Sequence, residues 1–386
     1  MRKRIVFLTG TRADYGKLKS LMKKVERNDD FELHIFATGM HLLSKYGLTY
    51  SEIEKDGFSN IYRFINQQNN NPMDMTLSNT ILGFSNYVSE IQPDLIVVHG
   101  DRLEALAGAI VGAFNNIKVA HVEGGEISGT IDESIRHAIT KFAHIHLVAN
   151  EEAKLRVMQM GEEEESVYII GSPDIDIMYS KNLPEIETVK ERYAIPFKNY
   201  CILIYHPVTT ELPILKENIQ NLVKAVLNSN RNFIVIYPNN DEGSSIILEE
   251  YKKIETRPNI KIYPSIRFEY FLTLLKHSDF IIGNSSAGIR EAEVYGISTI
   301  DIGTRQKGRY NPLLNTNIIH VSDDYLEISD ALSKVGTLKN KSSSLFGEGD
   351  SDEKFISILE SDIIWEKNFQ KSFVDRENLE QVNWER

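Results

Sequence analysis

Three acidic residues stand where the sequence could carry out acid–base chemistry. Asp101 and Glu123 each follow a short apolar run, and Asp132 lies in a polar stretch just before a helical pattern. Carboxyl groups held close together shift one another's pKa, so that one can accept a proton while another donates one. Asp132 could instead cap the helix that follows it, as Asp often does. The sequence therefore favours Asp101 and Glu123 as catalytic carboxylates, with Asp132 as a further candidate.

A segment rich in glycine and serine at residues 283–288 is the candidate phosphate-binding site. It has the sequence Gly-Asn-Ser-Ser-Ala-Gly, follows an apolar run and opens a helical pattern. Backbone N–H groups at a helix start and the hydroxyls of Ser285 and Ser286 can hold a diphosphate, although Asn284 or Ser285 could equally cap the helix. Glu291 could bind a ribose diol or be an ordinary helix charge. Arg12, after the first apolar run, could bind phosphate from the other side or be a surface arginine.

The usual motifs for cofactors are absent from the sequence. No GxGxxG segment follows the first apolar run, and neither GxxxxGKS nor GxxxxGKT occurs. His144 and His146 alternate in one apolar run and would point to the same side, but no third ligand lies at a usable spacing. We therefore predict that both histidines take part in packing and hydrogen bonding, and we expect no metal and no cofactor.

Short apolar runs recur along the whole chain and alternate with helical patterns such as Leu103–Phe114. Most are continuous runs of Val, Ile and Leu, which are typical of parallel strands covered on both faces. Alternating strands and helices predict two Rossmann-like domains in tandem, with parallel sheets of six strands each. The runs are residues 5–8, 33–38, 95–99, 119–122, 145–148 and 167–170, then 202–206, 233–237, 260–263, 280–282, 299–302 and 318–321.

Domain boundaries are predicted where the alternation of apolar runs and helical patterns is interrupted. We predict an N-terminal Rossmann-like domain with the carboxylates over residues 1–178, a C-terminal one over residues 179–360, and a C-terminal helix over residues 361–386 that could pack back on the first domain. The junction falls near residues 173–199, where prolines interrupt the periodicity, and a helical pattern extends from about residue 353 through residue 373.

Polar residues follow nearly every apolar run in both halves. Ligands of open parallel sheets bind beyond the carboxyl ends of the strands, so one ligand is expected in a cleft between the domains. His99, His121 and His206 each lie at or near the end of such a run and are candidates for contact with it.

Composition limits the class of protein. The chain has 386 residues, 41% of them hydrophobic and 25% charged, which fits two globular domains. A formal charge of −12 disfavours binding to nucleic acid or to an anionic membrane surface. A single cysteine, Cys201, excludes an intrachain disulfide, and no apolar run is long enough to span a membrane. We expect a cytoplasmic enzyme that acts on a small molecule.

Six segments together resemble the hydrolysing UDP-N-acetylglucosamine 2-epimerases of sialic-acid biosynthesis. The likeness runs from about residue 3 to residue 310, and the stretch Gly-Gly-Glu-x-Ser-Gly-Thr-x-Asp resembles the hydrolysing branch of that family. The segments are residues 9–15 (TGTRADY), 99–102 (HGDR), 121–126 (HVEGGE), 128–137 (SGTIDESIRH), 206–210 (HPVTT) and 283–291 (GNSSAGIRE).

The resemblance implies a glycosyltransferase-B-like fold with the active site between two Rossmann-like domains and UDP held mainly by the second. It implies that UDP-N-acetylglucosamine and water become N-acetylmannosamine and UDP by elimination to 2-acetamidoglucal followed by hydration. It assigns the acid and base roles to Asp101, Glu123 and Asp132, and places residues 266–271 near the uracil. Its substrate-binding residues carry over onto Arg12, Arg102, His206, Asn239, Ile266, Phe271, Ser285, Ser286 and Glu291.

The sequence leaves open other substrates, other functions and the number of subunits. The same reaction could act on UDP-2,4-diacetamido-2,4,6-trideoxyglucose, as in legionaminic-acid pathways, because the motifs that hold UDP would look alike. A retaining glycosyltransferase or a non-catalytic sugar-nucleotide sensor could share the architecture. We expect a homodimer or homotetramer, in which helix Leu103–Phe114 could pack between subunits or be buried in its own domain.

Overall fold

Two parallel β-sheets, each covered by helices, form the framework of the computed structural model. It describes residues 2–68, 71–127, 131–181, 183–310, 315–337 and 341–374. The strands of the first sheet are Lys3–Thr9 (β1), Phe31–Ala37 (β2), Ile61–Arg63 (β3), Leu95–His99 (β4), Lys118–Val122 (β5), Ile145–Val148 (β6) and Val167–Ile169 (β7). Those of the second are Cys201–Ile204 (β8), Phe233–Ile236 (β9), Ile260–Tyr263 (β10), Ile281–Gly283 (β11), Thr299–Ile302 (β12) and Ile318–Val321 (β13).

Helices connect successive strands across both faces of the sheets. In the first half they are Arg12–Glu26 (α1), Tyr50–Lys55 (α2), Met73–Ile91 (α3), Leu103–Phe114 (α4), Ile131–Phe142 (α5), Glu151–Gln159 (α6), Pro173–Met178 (α7) and Ile186–Arg192 (α8). In the second half they are Leu212–Asn228 (α9), Ser244–Lys252 (α10), Phe268–Lys276 (α11), Ser286–Ile289 (α12), Glu291–Tyr295 (α13), Tyr325–Lys334 (α14), Ser351–Glu360 (α15) and Ile363–Glu366 (α16).

The order of strands creates the same break in both sheets. The first sheet has the order β3-β2-β1-β4-β5-β6-β7 and the second β10-β9-β8-β11-β12-β13, with every pair parallel. Successive strands are therefore added on one side of β1 and β8 first and on the other side afterwards. The loops that follow β1 and β4, and those that follow β8 and β11, lead to opposite sides of these switch points. Such switch points form the crevices in which open α/β sheets bind ligands.

The predicted fold class, two Rossmann-like domains with parallel sheets, is confirmed. All twelve predicted strands are present, and one strand was missed. This is β3, which has only three residues and lies at the sheet edge with Tyr62 and Arg63 exposed. A short half-exposed edge strand leaves no continuous apolar run for sequence reasoning to find.

The C-terminal part of the chain returns to the first sheet. Phe355 and Leu359 of α15 and Ile364 of α16 belong to the apolar core beneath β1 and β2. The rings of Phe355 and Phe7 meet edge to face, with centroids 6.0 Å apart. The returning segment thus begins ten residues before the boundary at residue 361 that the sequence suggested.

The helix predicted from about residue 353 through residue 373 is not continuous in the structure. Regular helix ends at Glu366, and the chain to residue 374 is irregular. Its backbone and side chains bond to the first domain instead: His144 Nε2 lies 3.0 Å from the Phe369 carbonyl, and Lys371 Nζ donates to the Thr140 and Lys141 carbonyls. These tertiary contacts override the helical periodicity. The remainder of the predicted terminal segment, residues 375–386, lies outside the described residues.

Among the helices of the described chain, none combines the length and apolar character needed to cross a bilayer.

We expect Phe355→Ala to lower the free energy of unfolding of the first domain by about 3–5 kcal/mol, because it removes a fully buried ring and leaves a cavity. Urea unfolding followed by tryptophan fluorescence measures the change. Ile363→Ala, which truncates a side chain that is 61% exposed, is the control and should cost much less. Equal effects of the two substitutions would show that α15 is not part of this core.

Candidate active site

The carboxyl ends of both sheets face one cavity of about 340 Å³ between the domains, a volume in the range of small-molecule sites. The twelve residues to which the family resemblance assigns a catalytic or substrate-binding role all line it. The structure therefore brings the whole predicted set together, while the roles of its members stay predictions. They are Asp101, Glu123 and Asp132, with Arg12, Arg102, His206, Asn239, Ile266, Phe271, Ser285, Ser286 and Glu291.

Glu123 is a buried carboxylate that is fully surrounded by donors. It directly follows β5 in the left-handed region, with φ +63°, which is uncommon for a residue with a side chain. Its carboxylate accepts hydrogen bonds from Ser172 Oγ at 2.8 Å and from Arg290 Nη2 at 2.7 Å, and His99 Nε2 lies 3.1 Å away. Burial raises the pKa of Glu123, but the charges of Arg290 and Lys17 outweigh burial and hold it well below 4.5. Glu123 is therefore a stable anion and a weak base.

Asp101 follows β4 and is also held as an anion. Arg136 of α5 donates to its carboxylate. Burial raises the pKa of Asp101, but Arg136 and the nearby guanidinium groups of Arg309, Arg305 and Arg102 lower it more, so it lies below its ordinary value.

His121 supports the backbone beside Asp101 instead of lining the cavity, so its predicted ligand contact is wrong. Its Nε2 lies 2.8 Å from the carbonyl oxygen of Gly100, and its Nδ1 lies 3.2 Å from Thr140 Oγ1. Burial lowers the pKa of His121 to about 3, so the ring is neutral and can donate one of these bonds and accept the other. The fully buried side chain thus joins the loop after β4 to helix α5.

Asp132 differs from the other two carboxylates. It lies in the first turn of α5, and Arg305 Nη2 lies 3.3 Å from its Oδ2. Burial and the negative charges of Asp101 and Asp241 raise its pKa above the ordinary value, and Arg305 offsets only part of this. Of the three carboxylates, Asp132 is therefore the one whose pKa is raised, and the catalytic roles of all three stay predictions.

His206 occupies the opposite, C-terminal side of the cavity as a neutral donor. Its Nδ1 accepts a hydrogen bond from the Asn239 backbone N–H at 3.0 Å, so the proton of the ring is on Nε2. Burial, Arg305 and Arg102 hold its pKa well below 6.5. Asn284 fixes the backbone, because its side chain accepts from His206 N–H at 2.7 Å and donates to the His206 carbonyl at 2.9 Å. The ring can therefore donate a hydrogen bond without carrying charge.

The glycine- and serine-rich segment takes the position that the sequence suggested, with one difference. Gly283 ends β11 with φ +132°, and a Cβ there would lie 1.9 Å from the Ile204 carbonyl oxygen, so only glycine fits. Ser285 caps α12, its Oγ accepting from the Ala287 N–H at 3.3 Å. The single helix expected here is broken at Arg290 into α12 and α13. Capping by Ser285 is thus observed, and phosphate binding stays a prediction.

Ion pairs that cross from one domain to the other close the cavity. Arg290, only 3% exposed, donates to Glu123 and, at 2.8 Å, to Glu126. Its neighbour Glu291 lies 3.3 Å from Lys17 of α1. Two consecutive residues of the second domain therefore bind two anions and one cation of the first domain.

Arg12, the expected phosphate ligand, is also held across the cleft. It is the first residue of α1, whose start is fixed by a reciprocal capping box between Thr11 and Asp14. Its guanidinium donates to Glu52 Oε1 at 2.5 Å and to Ser265 Oγ of the second domain at 2.7 Å. Arg12 is therefore preorganised at the wall of the cavity.

Several residues that shape the cavity were not assigned a role from the sequence. Arg136 and Arg290 lie inside the segments that carry the family resemblance, so their position was a usable signal. Lys17 and Arg309 had no such signal, because nothing in a helical pattern or a polar loop shows which carboxylate lies opposite.

The paired histidines are confirmed as packing residues. His144 accepts from the Val119 N–H at 3.2 Å and contacts the Phe369 carbonyl, and His146 Nε2 lies 3.1 Å from Glu162. Within the part of the chain that the structure describes, no group of three His, Cys, Asp or Glu side chains is arranged to hold a metal ion.

Comparison with known proteins gives relatives over nearly the whole chain. Residues 23–360 match the protein family described as UDP-N-acetylglucosamine 2-epimerase. A UDP-N-acetylglucosamine 2-epimerase of Neisseria meningitidis serogroup B is 48% identical over 377 residues, covering 97% of this chain and 99% of that protein. A UDP-N,N'-diacetylbacillosamine 2-epimerase (hydrolyzing) of Legionella pneumophila is 36% identical, covering 94% and 96%.

A solved structure matches the arrangement of the two domains. The UDP-GlcNAc 2-epimerase of Methanocaldococcus jannaschii, in complex with UDP-GlcNAc and UDP, has a TM-score of 0.80 and 22% identity, covering 92% of this chain and 99% of that one. At this identity the match concerns the fold, and it confirms the glycosyltransferase-B-like architecture predicted from the sequence.

The pKa of Glu123 links stability to pH. Because its pKa is lower in the folded protein than in the unfolded chain, ionised Glu123 stabilises the fold fully above about pH 4.5, and this contribution is lost as the pH falls toward the folded pKa. We therefore expect Glu123→Gln to lower the free energy of unfolding most above about pH 5.5, with the deficit shrinking toward about pH 3. Urea unfolding across this range measures it, with Glu90→Gln, which removes an exposed carboxylate, as control. A deficit that does not depend on pH would contradict the expectation.

Proposed function

The chain belongs to the UDP-N-acetylglucosamine 2-epimerase family, and we propose that it is a hydrolysing member, converting UDP-N-acetylglucosamine and water to N-acetylmannosamine and UDP. The observation that carries the proposal is the single cavity in which three carboxylates of the first domain face the serines and neutral histidine of the second. The word hydrolyzing in the name of the Legionella relative and the hydrolysing-type stretch at residues 124–132 support the choice of branch. Residues 128–130 of that stretch lie outside the described residues.

The chemistry requires a leaving-group site and a base in the same cavity. The proton at C2 of a UDP-sugar is not acidic, because no carbonyl lies beside it. Departure of UDP from C1 builds oxocarbenium character, and only then is the C2 proton readily lost to give 2-acetamidoglucal. A site that performs this elimination must therefore stabilise negative charge on the diphosphate while it removes the C2 proton.

On the C-terminal side, we propose that Ser285, Ser286 and His206 bind the diphosphate. Their hydroxyl and imidazole N–H groups donate hydrogen bonds without adding charge to a buried site. Arg12, from the wall formed by α1, supplies a positive charge that stabilises the negative charge that UDP gains as it leaves. Binding in this way favours the departing anion over the intact substrate, which is the requirement for catalysis.

On the N-terminal side, we propose that Asp132 accepts the C2 proton. Its raised pKa makes it a stronger base than Asp101 or Glu123, whose pKa values are lowered. Asp101 and Glu123 stay ionised and are suited to stabilise positive charge at C1. One of them then takes a proton from the water that adds to C1 of the glycal and passes it to C2 from the opposite face, which completes the inversion. Asp132 releases the proton it removed to solvent, which restores the base.

A different sugar is the second candidate, favoured by the Legionella relative. The sugar in its name is a 2,4-diacetamido-2,4,6-trideoxyhexose, so it differs from N-acetylglucosamine at C4 and C6 only. The higher identity of the Neisseria protein, 48% against 36%, supports UDP-N-acetylglucosamine as the substrate. Supplying each UDP-sugar in turn and measuring UDP release distinguishes the two. Release without any sugar acceptor also separates both from a glycosyltransferase.

We further propose that the product enters sialic-acid biosynthesis in the cytoplasm and that the protein is a homodimer or homotetramer. Most of α4 is buried in its own domain, but Phe114 at its end is 77% exposed and Leu82 of α3 is 64% exposed, so each helix presents an apolar side chain that a second subunit could cover. Light scattering after size exclusion measures the subunit number.

The reaction in deuterated water tests the function directly. We expect UDP release from UDP-N-acetylglucosamine and one deuterium at C2 of the N-acetylmannosamine formed, detected by NMR. The solvent supplies that position because the glycal has lost its C2 proton. UDP-N-acetylmannosamine as the product would identify a reversible epimerase instead, and no turnover of any UDP-N-acetylhexosamine would end the proposal.

Substitution of the carboxylates tests the mechanism. We expect Asp132→Asn to lower kcat by about a hundredfold or more while the Kd for UDP changes little, because the amide cannot accept the proton. Asp101→Asn and Glu123→Gln should also lower kcat by about a hundredfold or more. Glu133→Gln removes a carboxylate of the same helix that does not line the cavity and is the matched control. Unchanged turnover in any of the three active-site variants removes that residue from the mechanism.

A further inference from the structure

Asp101 and Asp132, the two carboxylates whose charges act on each other, receive their arginine partners from different domains. Asp101 is paired with Arg136, which lies on α5 in the same domain and is almost completely buried. Asp132 is paired with Arg305, which follows β12 in the second domain and reaches it at 3.3 Å. Asp101 thus has its arginine in its own domain, and Asp132 is reached by an arginine from across the cleft.

The charges around Asp132 show why this partner matters. From the first domain it faces Asp101 and Arg102 after β4, and Arg136 on its own helix; from the second it faces Asp241 after β9 and Arg305. Burial and the negative charges of Asp101 and Asp241 favour the uncharged form of Asp132. Arg305 is the cation that comes closest to it from across the cleft.

Arg305 is also tied to the candidate diphosphate site. Its Nη1 lies 3.4 Å from the carbonyl oxygen of Asn284, and the adjacent, fully buried Gln306 donates to the same oxygen at 2.8 Å. Asn284 directly precedes Ser285 and Ser286. The segment proposed to hold the diphosphate and the arginine that reaches Asp132 therefore share one anchor.

We propose that Arg305 is a positioning residue that favours the ionised form of Asp132, so that the second domain contributes a charge to the base for the C2 proton from across the cleft. This inference rests on the proposed function. It explains how the leaving-group site and the base act together: the domain that holds the diphosphate also supplies a cation that prepares the base.

The pH dependence of turnover tests the inference. We expect the acid limb of kcat, measured as UDP release at saturating UDP-N-acetylglucosamine, to move to higher pH by about one unit or more in Arg305→Gln, because Asp132 then holds its proton more tightly. Arg305→Lys keeps a positive charge and should move the limb much less. An unmoved limb in Arg305→Gln, or an equal shift in both variants, would overturn the proposal.

A second measurement does not depend on turnover. In the full chain labelled with carboxyl-13C aspartate, the Asp132 resonance is assigned by its loss in Asp132→Asn and followed against pH. We expect its midpoint to rise by about one unit or more in Arg305→Gln relative to the unmodified protein, and equal midpoints would overturn the proposal. Should the unmodified protein turn over no UDP-sugar, the proposed function fails while this titration still decides whether Arg305 sets the charge of Asp132.

Discussion

Charges buried between the two domains are the constraint on which the rest of the structure depends. Arg290 binds Glu123 and Glu126 across the cleft, and its neighbour Glu291 pairs with Lys17 in the opposite sense. Leaving one member of a buried pair without its partner costs about 3–5 kcal/mol. The domains therefore meet in one register, in which each buried charge finds its counterpart, and the cavity that lies between them acquires a defined set of walls.

The order of the strands decides which residues can take part in this arrangement. Because both sheets change direction at an inner pair of strands, β1 with β4 and β8 with β11, the loops after these strands open away from one another. Asp101 and Arg12 leave the first sheet at its switch point, and Ser285 and His206 leave the second at its own. Gly283 is required there by contact with the Ile204 carbonyl and not by ligand chemistry. The strand order thus sets the position of both halves of the site independently of their side-chain interactions.

The sequence predicted the framework and the composition of the cavity well, and the electrostatics poorly. Continuous apolar runs locate buried parallel strands, and residues after them must lie at the carboxyl edge, so local pattern indicated the carboxylates and the serine-rich segment. The family resemblance added Arg102, Asn239, Ile266 and Phe271. The edge strand β3 and the irregular tail after Glu366 were missed because tertiary contacts decide their conformation. The sequence also could not show which carboxylate has the raised pKa, since this depends on Arg136 and Arg305, whose positions no local pattern reveals.

The net charge of −12 is a poor guide to the potential inside the cleft, although it disfavours long polyanions as partners. Six guanidinium groups line the cavity, from Arg12, Arg102, Arg136, Arg290, Arg305 and Arg309. Buried side chains with fixed partners lose little entropy when a ligand arrives, so they act as preorganised charges. The acidic residues that outnumber them elsewhere lie largely on the surface, where water screens them. A dianionic diphosphate can therefore be favoured in a strongly acidic protein, because the charge that it meets is set by the few groups facing it and not by the chain as a whole.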